Sequence, residues 1–232
     1  MQNKLNMLLE KYSVGKKATL DGNAVTVDGK TYPLLPWRAE RRFTELKSLV
    51  DSGELHGIST MRTLRVVKAG CDLYEQLYRE VDICRFILGT EITEIFAIEG
   101  GDYTLNAIAA TAAGYVCSFE LSATLQNGQP GIDKHEIIAI GGVACDRAAD
   151  TQVPQNSVYV YGGKPEPDTY TDVDAELYGL TPDECAVVRY AFDVAKNGTD
   201  LTNEANAALS VVDAAKRSVE TTANIILGGE AK

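Results

Sequence analysis

Apolar residues at helical spacing open the chain: Leu5, Leu8, Leu9 and Tyr12 predict a short amphipathic helix. The period then falls to two. Ala24-Val25-Thr26-Val27 and Lys30-Thr31-Tyr32 read as a β-hairpin about Asp28-Gly29, a pair that supplies the positive φ angles of a tight turn, and Asp21-Gly22 offers an earlier turn. Helical spacing returns with Phe43, Leu46, Leu49 and Val50, on a helix expected to stop near Ser52-Gly53. Residues Gly57 to Val67 read as a strand. Leu73, Leu77, Val81, Cys84 and Leu88 then make the strongest helical stripe, with Asp72 as N-cap and Glu75 placed to complete a capping box.

A run of strands follows, at Ile92–Glu99, Tyr103–Thr111, Tyr115–Ala123, Lys134–Ile140 and Ser157–Tyr161. In the third, Tyr115, Cys117, Phe119 and Leu121 alternate with Val116, Ser118, Glu120 and Ser122, as expected of a sheet with two unlike faces. The links Gly100-Gly101 and Ala113-Gly114 are too short for parallel crossovers and predict antiparallel neighbours. Gly162 to Asp174, with three prolines, reads as a loop. Two helices are expected to close the chain, Thr181–Lys196 and Asn203–Leu227, the second with Leu209, Val212, Val219 and Ile226 on one stripe.

Strands in a run, flanked by helices, predict an α+β fold: an open-faced, mainly antiparallel β-sheet with helices on one face, preceded by a small N-terminal β-hairpin appendage. The division expected is residues 1–37, the helix and hairpin, and residues 38–232, the α+β domain. The second face of the sheet would meet solvent or a partner.

Composition narrows the function. The 232 residues carry a net charge of −11 and no basic block, which argues against nucleic acid, whose phosphates need clustered Lys and Arg. The five cysteines (Cys71, Cys84, Cys117, Cys145, Cys185) are scattered and mostly among apolar neighbours, and none are spaced as CxxC; they read as buried free thiols in a reducing compartment. The N-terminus lacks the apolar run of a signal peptide, and no stretch has the roughly 18 apolar residues of a membrane span. The expected location is the cytoplasm, where Asn197-Gly198-Thr199 would be an accidental match to a glycosylation acceptor.

Few motifs carry chemistry. Ile137 to Gly142 superficially resembles a dinucleotide-binding turn but has no third glycine and no following helical stripe, so it reads as a strand and turn. There is no P-loop, HExxH or GxSxG motif, and no metal site is expected. Of the two histidines, His56 reads as an exposed turn residue, while His135 sits in a strand beside Asp133 and could be structural or face a cleft. Glu75 and Arg79 stand one helical turn apart, as an i, i+4 ion pair or as two groups on a pocket wall. Tyr159, Tyr161, Tyr170 and Tyr178 flank the proline-rich loop, as ordinary strand formers or an interface arm.

Four stretches in order resemble the glucose–fructose oxidoreductase and inositol dehydrogenase family. Arg41-Arg42-Phe43 through Asp51-Ser52-Gly53-Glu54-Leu55-His56-Gly57-Ile58 is similar to the helix and "SGELGxI" turn that open that family's second domain. Arg79-Glu80-Val81-Asp82-Ile83-Cys84-Arg85-Phe86-Ile87-Leu88-Gly89 resembles its "HDxDxxRWLLG" helix. Asp133-Lys134-His135-Glu136-Ile137 with Gly141 resembles its "YDxRxEIxG" strand, and Phe192 to Gly198 its "FxDAIRNG" helix end.

The resemblance implies a substrate-side, oligomerisation-type domain whose open sheet pairs with that of another copy. It also frames what is missing. The 37 residues upstream are too few for the family's Rossmann domain, since a single βαβ unit takes about 30, and the "EKP" lysine motif is absent. In the "GxxxDxGxH" helix the family's aspartate and histidine correspond to Glu75 and Arg79, and its close-approach glycine to Leu77. Arginine stays protonated and cannot act as a general base. The expectation is therefore a protein that is not an autonomous NAD-dependent dehydrogenase, with no catalytic residue and no cofactor of its own. It would form homo-oligomers and bind a sugar-like or polyol ligand through Glu75, Arg79, Asp133 and His135. Two alternatives stand beside it: an accessory subunit of a split dehydrogenase with a separate NAD-binding chain, and an epimerase or lyase using Glu75 as base.

Overall fold

The computed structural model describes residues 1–146, 157–161, 168–171, 174 and 178–228. Chain order begins with helix α1 (Gln2–Lys11) and strands β1 (Ala18–Asp21), β2 (Ala24–Val27) and β3 (Lys30–Pro33). These three strands form their own antiparallel meander, register Ala18↔Val27 and Val27↔Lys30, and both Asp-Gly pairs make its turns. Asp28 and Gly29 take φ of 48° and 86°, the left-handed pair that a two-residue hairpin requires.

A 3-10 turn at Pro36–Ala39 leads into α2 (Arg41–Asp51), β4 (Ile58–Lys68) and α3 (Leu73–Leu88). Then come β5 (Ile92–Glu99), β6 (Thr104–Thr111), β7 (Val116–Leu125), β8 (Ile132–Ala139), β9 (Gly142–Cys145), β10 (Ser157–Tyr161) and β11 (Asp168–Thr171). Helices α4 (Pro182–Asn197) and α5 (Thr202–Thr221) and the short β12 (Ile225–Ile226) end the described chain.

The main sheet runs β11-β10-β9-β8-β4-β7-β6-β5-β12. Every pairing is antiparallel except β4 with β7, which is parallel because α3 and the β5–β6 hairpin intervene and return the chain in the same direction. The α+β class expected from the pattern is observed, with this one parallel pair at the sheet's centre. Alternation sets the faces. Cys117, Phe119 and Leu121 of β7, Leu105, Ala107 and Ala109 of β6, and Met61 of β4 are buried under the stripe Leu77, Val81, Cys84 and Leu88 of α3 and Val211, Val212 and Ala215 of α5. On the opposite face Ile98, Ile108 and Val116 stay exposed, and Arg62 stands between Glu120 and Glu136 at 3.7 and 3.5 Å.

The N-terminal elements do not stand apart. Leu5 and Leu9 of α1 and Val25 and Val27 of β2 share a second core with Val188, Ala191 and Val194 of α4 and Ala205 of α5. Trp37 touches both cores, and its indole N–H donates to the buried Asp82 of α3 at 2.7 Å.

Several expectations need correction. The last helix stops at Thr221 rather than Leu227: Thr222 turns left-handed at φ 53°, Ser218 Oγ donates to the Ala223 carbonyl, and the chain re-enters the sheet as β12 against β5. The apparent stripe therefore fails at both ends, with Leu209 and Ile226 exposed at 49% and 66%. Asp72 does cap α3, accepting from the Tyr74 N–H at 2.8 Å, but Glu75 makes no reciprocal bond, so there is no capping box there. The capping box belongs to α4, through Thr181 and Glu184. Within the stretch read as a loop, residues 168–171 form β11 on β10; the side chains of Tyr159, Tyr161 and Tyr170, and most of that loop, lie outside the described residues. Among the described residues no helix is long and apolar enough to cross a membrane.

Candidate functional site

The helix α3 presents chemistry on two sides, and the sequence-predicted residues divide between them. Its inner side meets α2, β4 and β8 in a cluster of charges. Arg42 of α2 donates to Glu40 (2.7 Å), Asp146 (2.9 Å) and Asp133 (2.7 Å). Arg79 of α3 binds Asp133 (3.1 Å) and Glu40 (3.4 Å) and bonds its neighbour Glu80, while Arg65 of β4 adds another guanidinium to Asp133 at 3.1 Å. His135, fully buried on β8, donates from Nδ1 to Asp146 at 2.6 Å and from Nε2 to Glu80 at 2.7 Å. Both ring nitrogens face carboxylates, which requires the imidazolium form.

Electrostatics agree. Burial disfavours a charged His135, but Asp146, Glu80 and Asp133 outweigh it and push its pKa up to about 10. Burial likewise raises Asp133 and Glu80, and the surrounding guanidiniums and imidazolium override it, holding Asp133 well below the usual carboxylate range and Glu80 below its ordinary value. The cations Arg42, Arg65, Arg79 and His135 match the anions Glu40, Glu80, Asp133 and Asp146 one for one. The ring of Phe43 closes one side, edge-on to His135 at 4.7 Å with Arg42 over its face at 4.3 Å. Such a group of charges is tolerable inside a protein because each is paired with an opposite charge; the three guanidiniums on Asp133 all meet Oδ2, and its buried Oδ1 makes no hydrogen bond.

Arg79, Asp133 and His135 are thus brought together as anticipated, but as one another's partners. Arg79 does not pair with Glu75 in an i, i+4 bridge; it turns inward. Glu80, Asp133 and His135 also offer ligand atoms within 4.8 Å of one another, the spacing of a metal site. The donors do not fit one: His135 already uses both nitrogens toward carboxylates, and Asp133 carries three guanidiniums, whose charge would repel a cation.

The outer side of α3 is open. A cleft of about 470 Å³ lies between α3, the meander and α5, floored by Arg65 and Arg79. Its walls bring Tyr74, Glu75, Gln76 and Tyr78 from α3, Asn23, Pro33, Leu34 and Trp37 from the N-terminal region, and Leu209, Val212 and Lys216 from α5. Glu75 is exposed there, and its carboxylate makes no hydrogen bond or ion pair among the described residues. Leu77, two residues on, is fully buried in the main core and points away from this space.

The turn after β8 shows why its glycine is there. A Cβ on Gly141 would come within 2.7 Å of the Glu54 carbonyl, and the Gly141 N–H bonds the His56 carbonyl at 3.1 Å. The glycine allows two loops to pack, and β9 rather than a helix follows, so the strand-and-turn reading holds. His56 is exposed, as expected of a turn residue.

Glu40, Glu80, Asp82 and Asp146 escaped sequence reasoning as site residues. Arg42 and Glu80 did stand inside the quoted motifs, but Asp146 meets Arg42 across 104 positions of chain, and no local spacing announces that contact.

No protein-family model and no curated protein matches the sequence. Solved structures do match the fold. A levoglucosan dehydrogenase in complex with NADH and levoglucosan superposes with a TM-score of 0.66 at 13% identity, over 84% of this chain and 65% of that one. The apo scyllo-inositol dehydrogenase from Lactobacillus casei gives a TM-score of 0.59 at 14% identity, over 84% of this chain and 62% of that one. This chain shares its fold with oxidoreductases of the inositol and levoglucosan dehydrogenase type and spans somewhat less than two thirds of the length of these solved structures.

Proposed function

We propose that this chain is a non-catalytic protein on an oxidoreductase-like scaffold, which binds a small sugar-like or polyol ligand in the cleft beside Glu75 and associates with copies of itself through the uncovered sheet face. The observation that carries the reading is the closed charge balance around Arg79. In the resembled family this helix position holds an acid–base histidine; here it is a guanidinium whose partners are all carboxylates of the protein. Arginine does not release its proton near neutral pH, and the one histidine nearby is held as an imidazolium. No group in the cluster is free to take a proton from a ligand.

The cleft keeps the features of a polyol site: aromatic walls from Trp37, Tyr74 and Tyr78 and hydrogen-bonding groups from Asn23, Glu75 and Gln76, in a space ample for a monosaccharide. The sheet face supplies the second half of the reading. Ile98, Ile108 and Val116 are exposed on neighbouring strands, with the Arg62, Glu120 and Glu136 ion pairs to one side of them, an apolar patch with a polar border that a two-fold copy can match.

The test has two arms. Neutral sugars and polyols are screened by thermal shift, and a set that leaves the midpoint unmoved removes ligand binding. Size-exclusion with light scattering should find a dimer or larger for the native chain and a monomer for Ile108→Lys; a native monomer at about 100 μM removes self-association.

A second reading is an accessory subunit whose nucleotide-binding part lies on another chain. It is prompted by the likeness of the fold to that of a dehydrogenase solved with NADH. Purification of the native assembly with this chain as its sole component would exclude it.

A further inference from the structure

We propose that the cleft selects among polyols by charge, taking an aminated polyol such as an amino sugar with its ammonium group against Glu75. This rests on the reading that the cleft binds a polyol, and it names the class of polyol.

The argument is a count of which charges around the cleft are spoken for. The floor guanidiniums look like an anion site but are not one: Arg79 is held by Glu40, Glu80 and Asp133, and Arg65 by Asp133 and the Gln76 carbonyl oxygen at 2.7 Å. Lys216, the remaining cation of the walls, lies 5.2 Å over the Tyr74 ring and 3.7 Å from Asp213 of its own helix. Asp72 is bound to the Tyr74 N–H and already answers the positive end of α3. Glu75 remains. It is the one lining carboxylate with neither a cation nor a hydrogen-bond donor opposite it among the described residues.

A sugar acid would bring its carboxylate to a cleft whose cations are all matched, and would meet Glu75 as a like charge. A neutral polyol would offer that carboxylate hydroxyl donors but no opposite charge. An amine supplies that charge and makes a charge-assisted hydrogen bond. The Tyr78 hydroxyl and the Asn23 amide make no side-chain hydrogen bond among the described residues and are available to ligand hydroxyls. The overall charge of −11 attracts a cation toward the same place.

The experiment titrates the full chain with glucosamine, glucose and glucuronate at low salt and follows amide resonances of Gln76 and Tyr78 by NMR. Glucosamine is expected to bind about three- to fivefold more tightly than glucose, the size of a partly exposed charge pair, and glucuronate more weakly than either. Added salt should narrow the gap. Glu75→Gln, which keeps a hydrogen-bonding group and removes the charge, should abolish it. Equal affinities for glucosamine and glucose, a preference for glucuronate, or a gap that survives in Glu75→Gln overturns the inference while the polyol reading stands. If no sugar moves these resonances, both fall together.

Discussion

The two sides of α3 both carry ionisable groups and differ in whether those groups already have partners. Inward, Arg79 and Glu80 join a cluster in which every guanidinium and carboxylate meets an opposite charge and the histidine at its centre is fully buried. Outward, Tyr74, Glu75 and Tyr78 face a cleft, with Glu75 unpaired among the described residues. The inner network is neutral, every charge in it having an opposite even though Asp133 Oδ1 makes no hydrogen bond, whereas the carboxylate of Glu75 stands open to solvent.

The comparison breaks most readily at Glu80. It is fully buried and joins Arg79 to His135, so Glu80→Gln should leave buried charges unmatched and destabilise the fold by about 3–5 kcal/mol, measured by urea unfolding. A loss below about 1 kcal/mol would mean that the cluster is solvated and not structural. The next effect is in pH. The folded pKa of His135 is raised to about 10 from an ordinary 6.5, so its contribution is fully present below pH 6.5 and is lost as pH rises toward 10. Glu80 and Asp133 are shifted the other way, so their contributions are lost as the solution becomes acidic, below the ordinary carboxylate range. The urea midpoint should thus be greatest in a window of weakly acidic to neutral pH. A midpoint flat from pH 6 to 10 would contradict a protonated His135. The smallest effect belongs to the open side: Glu75→Gln should cost at most about 0.3–1 kcal/mol in urea unfolding, the interaction of an exposed first-turn carboxylate with the helix N-terminus, because it supports no other neighbour among the described residues. A marked shift there would reveal a structural partner and undo the contrast.

Much of the framework was legible because it is local. The stripe of α3, the alternation of β7, the Asp28-Gly29 turn and the antiparallel β5–β6–β7 meander each follow from residues a few positions apart. What escaped is of two kinds. Short strands such as β9 and β12 carry too few residues to display a period, and Ile226 fell by accident on the helical register of α5. The cluster escaped because its contacts are distant: Arg42 with Asp133 and Asp146, and Glu80 with His135, unite motifs that look like separate signatures. Arg79, Asp133 and His135 were legible as neighbours, yet nothing in their order along the chain discloses that they neutralise each other.

The strand β4 lies at the middle of the main sheet with β7 on one edge and β8 on the other, and both are made after it. During synthesis it must therefore wait for β7, complete at Leu125, and its second flank stays open until the ribosome has delivered residues as far as Ala139. A nascent chain halted before Ile132 would carry a long strand with an open border, the kind of surface that recruits chaperones or other strands.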